Sequence, residues 1–135
     1  MNASTMNHQP ITLLLCALGG EGGGVLAEWL VEVALRAGHA VQSTSIPGVA
    51  QRTGATTYYL EFAPRPADPA DPTDRRPVFS LYPVPGQVDL LVSSELLETA
   101  RQVSLGVTSP EHSRIISSSA RALTTAERMP LGDGR

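Results

Sequence analysis

Residues 11–35 read ITLLLCALGGEGGGVLAEWLVEVAL, an apolar run that breaks into five glycines within six positions and then resumes with helical character. Residues 11–18 carry no charge and almost no polar atom, as a strand covered on both faces of a parallel sheet requires. Gly19, Gly20, Gly22, Gly23 and Gly24 supply a turn that tolerates positive φ and lets a second backbone or a phosphate approach closely. The helix that follows points its free N–H groups and its positive dipole end at whatever enters that turn. The segment therefore predicts a strand, an anion-accepting or interface-forming loop, and a helix.

Working outward, the helix over residues 25–37 keeps its charges to Glu28, Glu32 and Arg36, which are four apart and form one narrow polar line. Most of its circumference is apolar, so a second layer or another protein chain is expected over Trp29 and its neighbours. Gly38 ends it, and residues 40–46 form a second strand reached by a right-handed crossover. The loop IPGVAQRTGATT then leads to a third strand over residues 57–62. Residues 63–77, APRPADPADPTDRRP, hold five prolines and predict a surface excursion, and residues 78–84 follow as an edge strand.

A fourth core strand starts at Gln87 and Val88 in the run VDLLVS, with Ser94 as the N-cap of a second helix. Leu96, Leu97, Ala100 and Val103 are expected to line the inner face of that helix, and Gly106 to close it. Residues 114–118 make a fifth strand. The order predicts a doubly wound, Rossmann-like three-layer α/β domain with a mainly parallel sheet, occupying residues 11–135 behind a flexible start at residues 1–10.

Composition excludes several chemistries. The 135 residues contain no lysine, which removes a Walker A lysine, a Schiff base and a pyridoxal phosphate anchor. A net charge of -3, with the ten arginines spread along the chain, offers no basic stripe for nucleic acid. Cys16 is the only cysteine, so an iron–sulfur cluster and an internal disulfide are both out of reach, and its place in a strand predicts a buried, inert thiol. The start MNASTMNHQP lacks the pattern of a secretion signal and no apolar run reaches membrane-spanning length, so a cytoplasmic protein without a membrane partner is expected.

The glycine turn fits a dinucleotide fingerprint loosely, in two registers, with Ala17 or Gly22 in the first glycine place. A nicotinamide site also wants an acid at the end of the second strand to hold the ribose, and Gln42, Ser43, Thr44 and Ser45 provide none. Gly48-Val-Ala-Gln51-Arg52-Thr53-Gly54 is a polar loop with one guanidinium between glycines, suited to a carboxylate or diphosphate through two parallel hydrogen bonds. Asp68, Asp71 and Asp74 recur at every third position, not at the alternate positions of a calcium loop. His8, His39 and His112 assemble into no serine, histidine and acid set.

These two loops, followed by VDLLVSSELLETAR, resemble the gamma domain of the 2-oxoacid:ferredoxin oxidoreductases, and most closely the beta subunits of the indolepyruvate enzymes. The resemblance runs from Thr12 onward, with Ala17, Glu21 and Thr53 departing from the residues usual there. It implies an oxidative decarboxylation of indolepyruvate or another aryl pyruvate to the aryl-acetyl-CoA, with electrons passed to ferredoxin and coenzyme A as co-substrate. It also implies that thiamine diphosphate, magnesium and the iron–sulfur clusters belong to a large partner subunit, and that a C-terminal remainder of the domain follows. On this reading Gly19, Gly20, Glu21, Gly22, Gly48, Gln51, Arg52, Thr53 and Gly54 bind a ligand or partner, and the chain itself holds no catalytic residue, metal or cofactor. A dehydrogenase dinucleotide domain and a pure interaction module are the rival readings.

Overall fold

In the computed structural model, residues 9–47, 54–66, 68, 70 and 76–123 are described. The apolar opening run forms β1 (Ile11–Ala17), and the glycine turn leads into α1 (Gly23–Arg36). Gly38, at φ +80°, reverses the chain into β2 (His39–Pro47). Then come β3 (Thr56–Pro64), β4 (Leu90–Ser93), α2 (Leu96–Ser104) and β5 (Arg114–Ser117).

The sheet order is β2-β3-β1-β4-β5. β1, β4 and β5 run parallel, while β3 is antiparallel to both β1 and β2. Four strands therefore share one direction and β3 alone opposes it. The crossover from β1 through α1 to β2 steps over one position, which β3 fills on its way back. The expected doubly wound α/β architecture is present, with one antiparallel strand threaded into it.

Strand alternation divides the core between the two faces of the sheet. On one face Leu13, Leu15 and Leu60 pack under Ala27 of α1, with Leu30, Val31, Tyr58, Phe62, Leu90 and Val92 around them. On the other lie Leu14, Cys16, Tyr59, Val88 and Leu91. α2 covers part of this second face: Thr99 Oγ1 lies 2.6 Å from Ser117 Oγ, and Ser117, Ser93 and Cys16 stand side by side in the register.

Several local expectations are corrected. Residues 78–84 form no strand; the segment is tied down at Ser80, whose N–H donates to Glu61 Oε2 at 2.7 Å. Pro83 removes one donor inside the segment, and the Tyr82 N–H is taken by Ser80 Oγ at 3.3 Å rather than by a neighbouring strand. β4 begins at Leu90, because Asp89 instead binds Thr12, accepting from its N–H at 2.7 Å and its hydroxyl at 2.9 Å. The N-cap of α2 is Glu95, not Ser94, with its carboxylate accepting from the Glu98 N–H at 2.6 Å. The face of α2 turned inward carries Glu98, Thr99 and Gln102, while Leu96, Leu97, Ala100 and Val103 face outward. The aspartate-rich stretch is largely outside the described residues, as are residues 1–8.

Candidate functional site

The site is assembled at the carboxyl ends of the parallel strands. β1 sends its chain toward β2 on one side and β4 sends its chain toward β5 on the other, so the crevice above β1 and β4 is the switch point where open α/β sheets accept ligands. Three chain segments meet there: the turn after β1, the backbone entering β3, and the loop between β4 and α2.

The first turn is shaped by its glycines in two different ways. Gly20 and Gly22 sit at φ +84° and +81°, conformations that cost an L side chain about 1–2 kcal/mol. Gly23 has ordinary helical backbone but no room: a Cβ there would stand 2.5 Å from the Ala17 Cβ and 3.1 Å from the Tyr58 ring. The first turn of α1 is thus pressed against the end of β1, which aims the helix start at the crevice.

Glu21 closes that crevice. Its Oε2 accepts from the Leu18 N–H at 3.0 Å and from the Ser94 hydroxyl across the switch point. The Ser94 N–H in turn donates to the Cys16 carbonyl at 3.0 Å. Next to it, the buried Glu95 carboxylate spans the Glu98 N–H and the Ala122 N–H, the latter at 3.1 Å. Two donors at the crevice, the Leu18 N–H and the Ser94 hydroxyl, therefore already hold a carboxylate, while no side chain caps the start of α1.

The second predicted loop reaches the same edge. Pro47 and Thr56 stand beside Ala17 in the register, and Gly54, at φ +70°, accepts a hydrogen bond from the Gly19 N–H at 3.2 Å. Of the residues singled out from sequence, the structure therefore brings together Gly19, Gly20, Glu21, Gly22 and Gly54. Gly48, Gln51, Arg52 and Thr53 lie outside the described residues. Sequence reasoning missed Ser94 as the partner of Glu21, since its place before a helix reads as a cap. It also missed Gly23 as the contact glycine, although the triple glycine at 22–24 was the available signal.

The chemistry on offer is binding and positioning. Glu21 is the one ionisable side chain of the described residues in the turn itself. Cys16 lies beneath, 1% exposed, and burial pushes its thiol up to about 12, with the nearby Glu98 charge acting the same way. Burial alone would raise Glu98, yet hydrogen bonds from Arg101 and Gln102 outweigh it and hold the carboxyl below its usual range. A single buried cysteine does not fit an iron–sulfur cluster, and the described residues bring no three metal-ligating side chains together. None of their helices is long and apolar enough to cross a membrane.

The fold is thus a doubly wound α/β domain whose β1 turn, β3 entry and β4–α2 loop meet at the switch point. Residues 12–130 match the pyruvate ferredoxin/flavodoxin oxidoreductase family, and the chain belongs to it. Two solved structures share the fold. One is 2-oxoglutarate:ferredoxin oxidoreductase from Magnetococcus marinus, solved with 2-oxoglutarate, coenzyme A and succinyl-CoA, at 11% identity and a TM-score of 0.61 over 92% of this chain. The other is the pyruvate oxidoreductase subunit PORC from Thermotoga maritima, at 18% identity and a TM-score of 0.51 over 84% of this chain. This chain spans 19% of the first protein and 52% of the second. Among curated proteins, none matches.

Proposed function

We propose that this chain is the gamma-type, or beta, subunit of a 2-oxoacid:ferredoxin oxidoreductase acting on indolepyruvate or related aryl pyruvates. It completes an assembly whose large subunit carries thiamine diphosphate, magnesium and the iron–sulfur clusters, uses coenzyme A as co-substrate and hands electrons to ferredoxin. The observation that supports this reading is the family match over residues 12–130, combined with a switch-point crevice where the turn after β1, the start of β3 and the β4–α2 loop meet. Cys16 is buried and the sequence holds no lysine, so neither a thiolate nor a Schiff-base amine is offered at this edge. Its part is to position, and the Arg52 loop, which leaves the edge at Pro47 and returns at Gly54, is the segment assigned to a phosphate or carboxylate.

The aryl preference rests on the likeness of the two loop motifs to the indolepyruvate type. Co-expression with the thiamine-dependent large subunit, followed by assay of ferredoxin reduction with indolepyruvate, pyruvate and 2-oxoglutarate, tests it. Activity that needs both chains and favours the aryl substrate is expected; equal activity without this chain overturns the assignment. A dehydrogenase domain would instead quench or enhance NADH fluorescence on titration, which the neutral end of β2 argues against.

A further inference from the structure

The crown of the turn after β1 is not held by packing. Beyond its chain neighbours, a Cβ on Gly20 or Gly22 would meet no atom within 4 Å, and Gly19, Gly20 and Glu21 are exposed. Hydrogen bonds set its place instead. The Glu21 N–H donates to the Leu18 carbonyl at 3.2 Å, and the Leu18 N–H donates to Glu21 Oε2 at 3.0 Å. That same Oε2 accepts from the Ser94 hydroxyl, and among the described residues this is the hydrogen bond that joins the β1 turn to the β4–α2 loop.

Both sides of that bond are anchored further. The Gly19 N–H donates to the Gly54 carbonyl at 3.2 Å, which ties the turn to the entry of β3. The Ser94 N–H donates to the Cys16 carbonyl at 3.0 Å, and the Leu96 N–H donates to the Ala120 carbonyl at 2.8 Å, which ties the start of α2 to the chain leaving β5. The carboxyl edge is therefore stitched from β3 to β5, and the Glu21 and Ser94 side chains make the stitch over the switch point. Because one oxygen takes both bonds, the link needs an acceptor oxygen and not a charge.

We propose that Glu21 and Ser94 are a positioning pair, a clasp that fixes the spacing of the two loops and so the edge this chain contributes to turnover of the assembled oxidoreductase. The proposal rests on the reading of this chain as an oxidoreductase subunit. Its first test is amide hydrogen exchange of the full chain by nuclear magnetic resonance. Ser94 acts on the Leu18 N–H through Glu21, so Ser94→Ala should speed exchange at Leu18 by about threefold to tenfold. The second test is indolepyruvate-dependent ferredoxin reduction by the purified large subunit, saturated with wild type, Ser94→Ala, Ser94→Thr, Glu21→Ala, Glu21→Gln or the double alanine variant. Each single alanine variant should lower kcat by about threefold to tenfold, and the double variant should lose no more than the worse single one. Glu21→Gln and Ser94→Thr, which keep the acceptor and the hydroxyl, should recover part of the loss. Unchanged Leu18 exchange in Ser94→Ala, wild-type turnover for Glu21→Ala, or losses that multiply in the double variant overturn the proposal. Turnover with Glu21→Gln as low as with Glu21→Ala overturns it too, by assigning the role to the charge. A wild-type chain that supports no turnover with the large subunit defeats the subunit assignment, and the positioning role with it; the exchange measurement on the chain alone tells that failure apart from a failure of the clasp.

Discussion

The two helices of this domain attach to the same sheet by opposite means. α1 lays Ala27 on Leu13, Leu15 and Leu60 and buries Ala34 further along, a contact made of apolar surface and small side chains. α2 turns Glu98, Thr99 and Gln102 inward on the Cys16 side; Thr99 pairs with Ser117 of β5, while the buried Glu98 is satisfied by Arg101 and Gln102 of its own helix. Apolar contact is nondirectional and tolerates small shifts, whereas the α2 contact depends on each polar group finding its partner. The comparison predicts that α1 is sensitive to volume and α2 to charge and protonation.

The largest effect is expected under α1. Leu60 is fully buried, and Leu60→Ala should cost about 2–5 kcal/mol in a denaturant titration. Gly23→Ala adds only a methyl, but that methyl collides with Ala17, so a loss of about 1–3 kcal/mol is expected. A neutral Gly23→Ala would break the close-packing account of the turn.

Under α2 the sensitive quantity is pH. Glu98 titrates below its ordinary range in the folded protein, so its contribution is complete above the unfolded value and is lost as pH falls through the folded one. Acid unfolding followed by circular dichroism should therefore begin at lower pH for the wild type than for a protein with an ordinary carboxyl there. Glu98→Gln should reduce stability at neutral pH by about 1–3 kcal/mol and flatten that acid limb. An unchanged acid limb would show that the Glu98, Arg101 and Gln102 cluster does not stabilise α2. The burial that raises Cys16 should also delay its reaction with a thiol reagent at pH 8 until the protein unfolds.

The smallest effect is expected on the outer face of α2, where Leu97 and Val103 are 38% and 46% exposed. Leu97→Ser should change the stability of the isolated chain by no more than about 0.5 kcal/mol. A loss comparable with Leu60→Ala would show that α2 packs with its apolar stripe inward.

How far the sequence could be read follows the same division. β1, the glycine turn and α1 were legible because an uncharged strand, consecutive glycines and a resuming apolar helix each have one physical meaning there. α2 misled because its apolar residues and its polar ones both recur at helical spacing, and periodicity ranks the apolar stripe as buried. Nothing in Glu98, Thr99 and Gln102 alone reveals that Arg101, Glu95 and Ser117 stand ready to satisfy them. The strand expected over residues 78–84 failed because the Ser80 and Tyr82 N–H groups find side-chain acceptors, Glu61 and Ser80, and Pro83 offers no donor, which periodicity does not reveal. At the site, Glu21 was legible as part of the turn, whereas Ser94, 73 residues away in sequence, becomes its partner only through the parallel pairing of β1 and β4.

We propose that this chain acts by positioning within a larger oxidoreductase, with Arg52 as the residue through which it does so. The direct measurement is aryl-pyruvate-dependent ferredoxin reduction by the large subunit alone, with the wild-type chain, and with Arg52→Ala and Arg52→Lys chains that bind equally well. Expected are no turnover without the chain, full turnover with the wild type, a partial loss for Arg52→Lys, which keeps the charge without the fork, and a larger loss for Arg52→Ala. Full turnover by the large subunit alone, or wild-type turnover with Arg52→Ala, would contradict it.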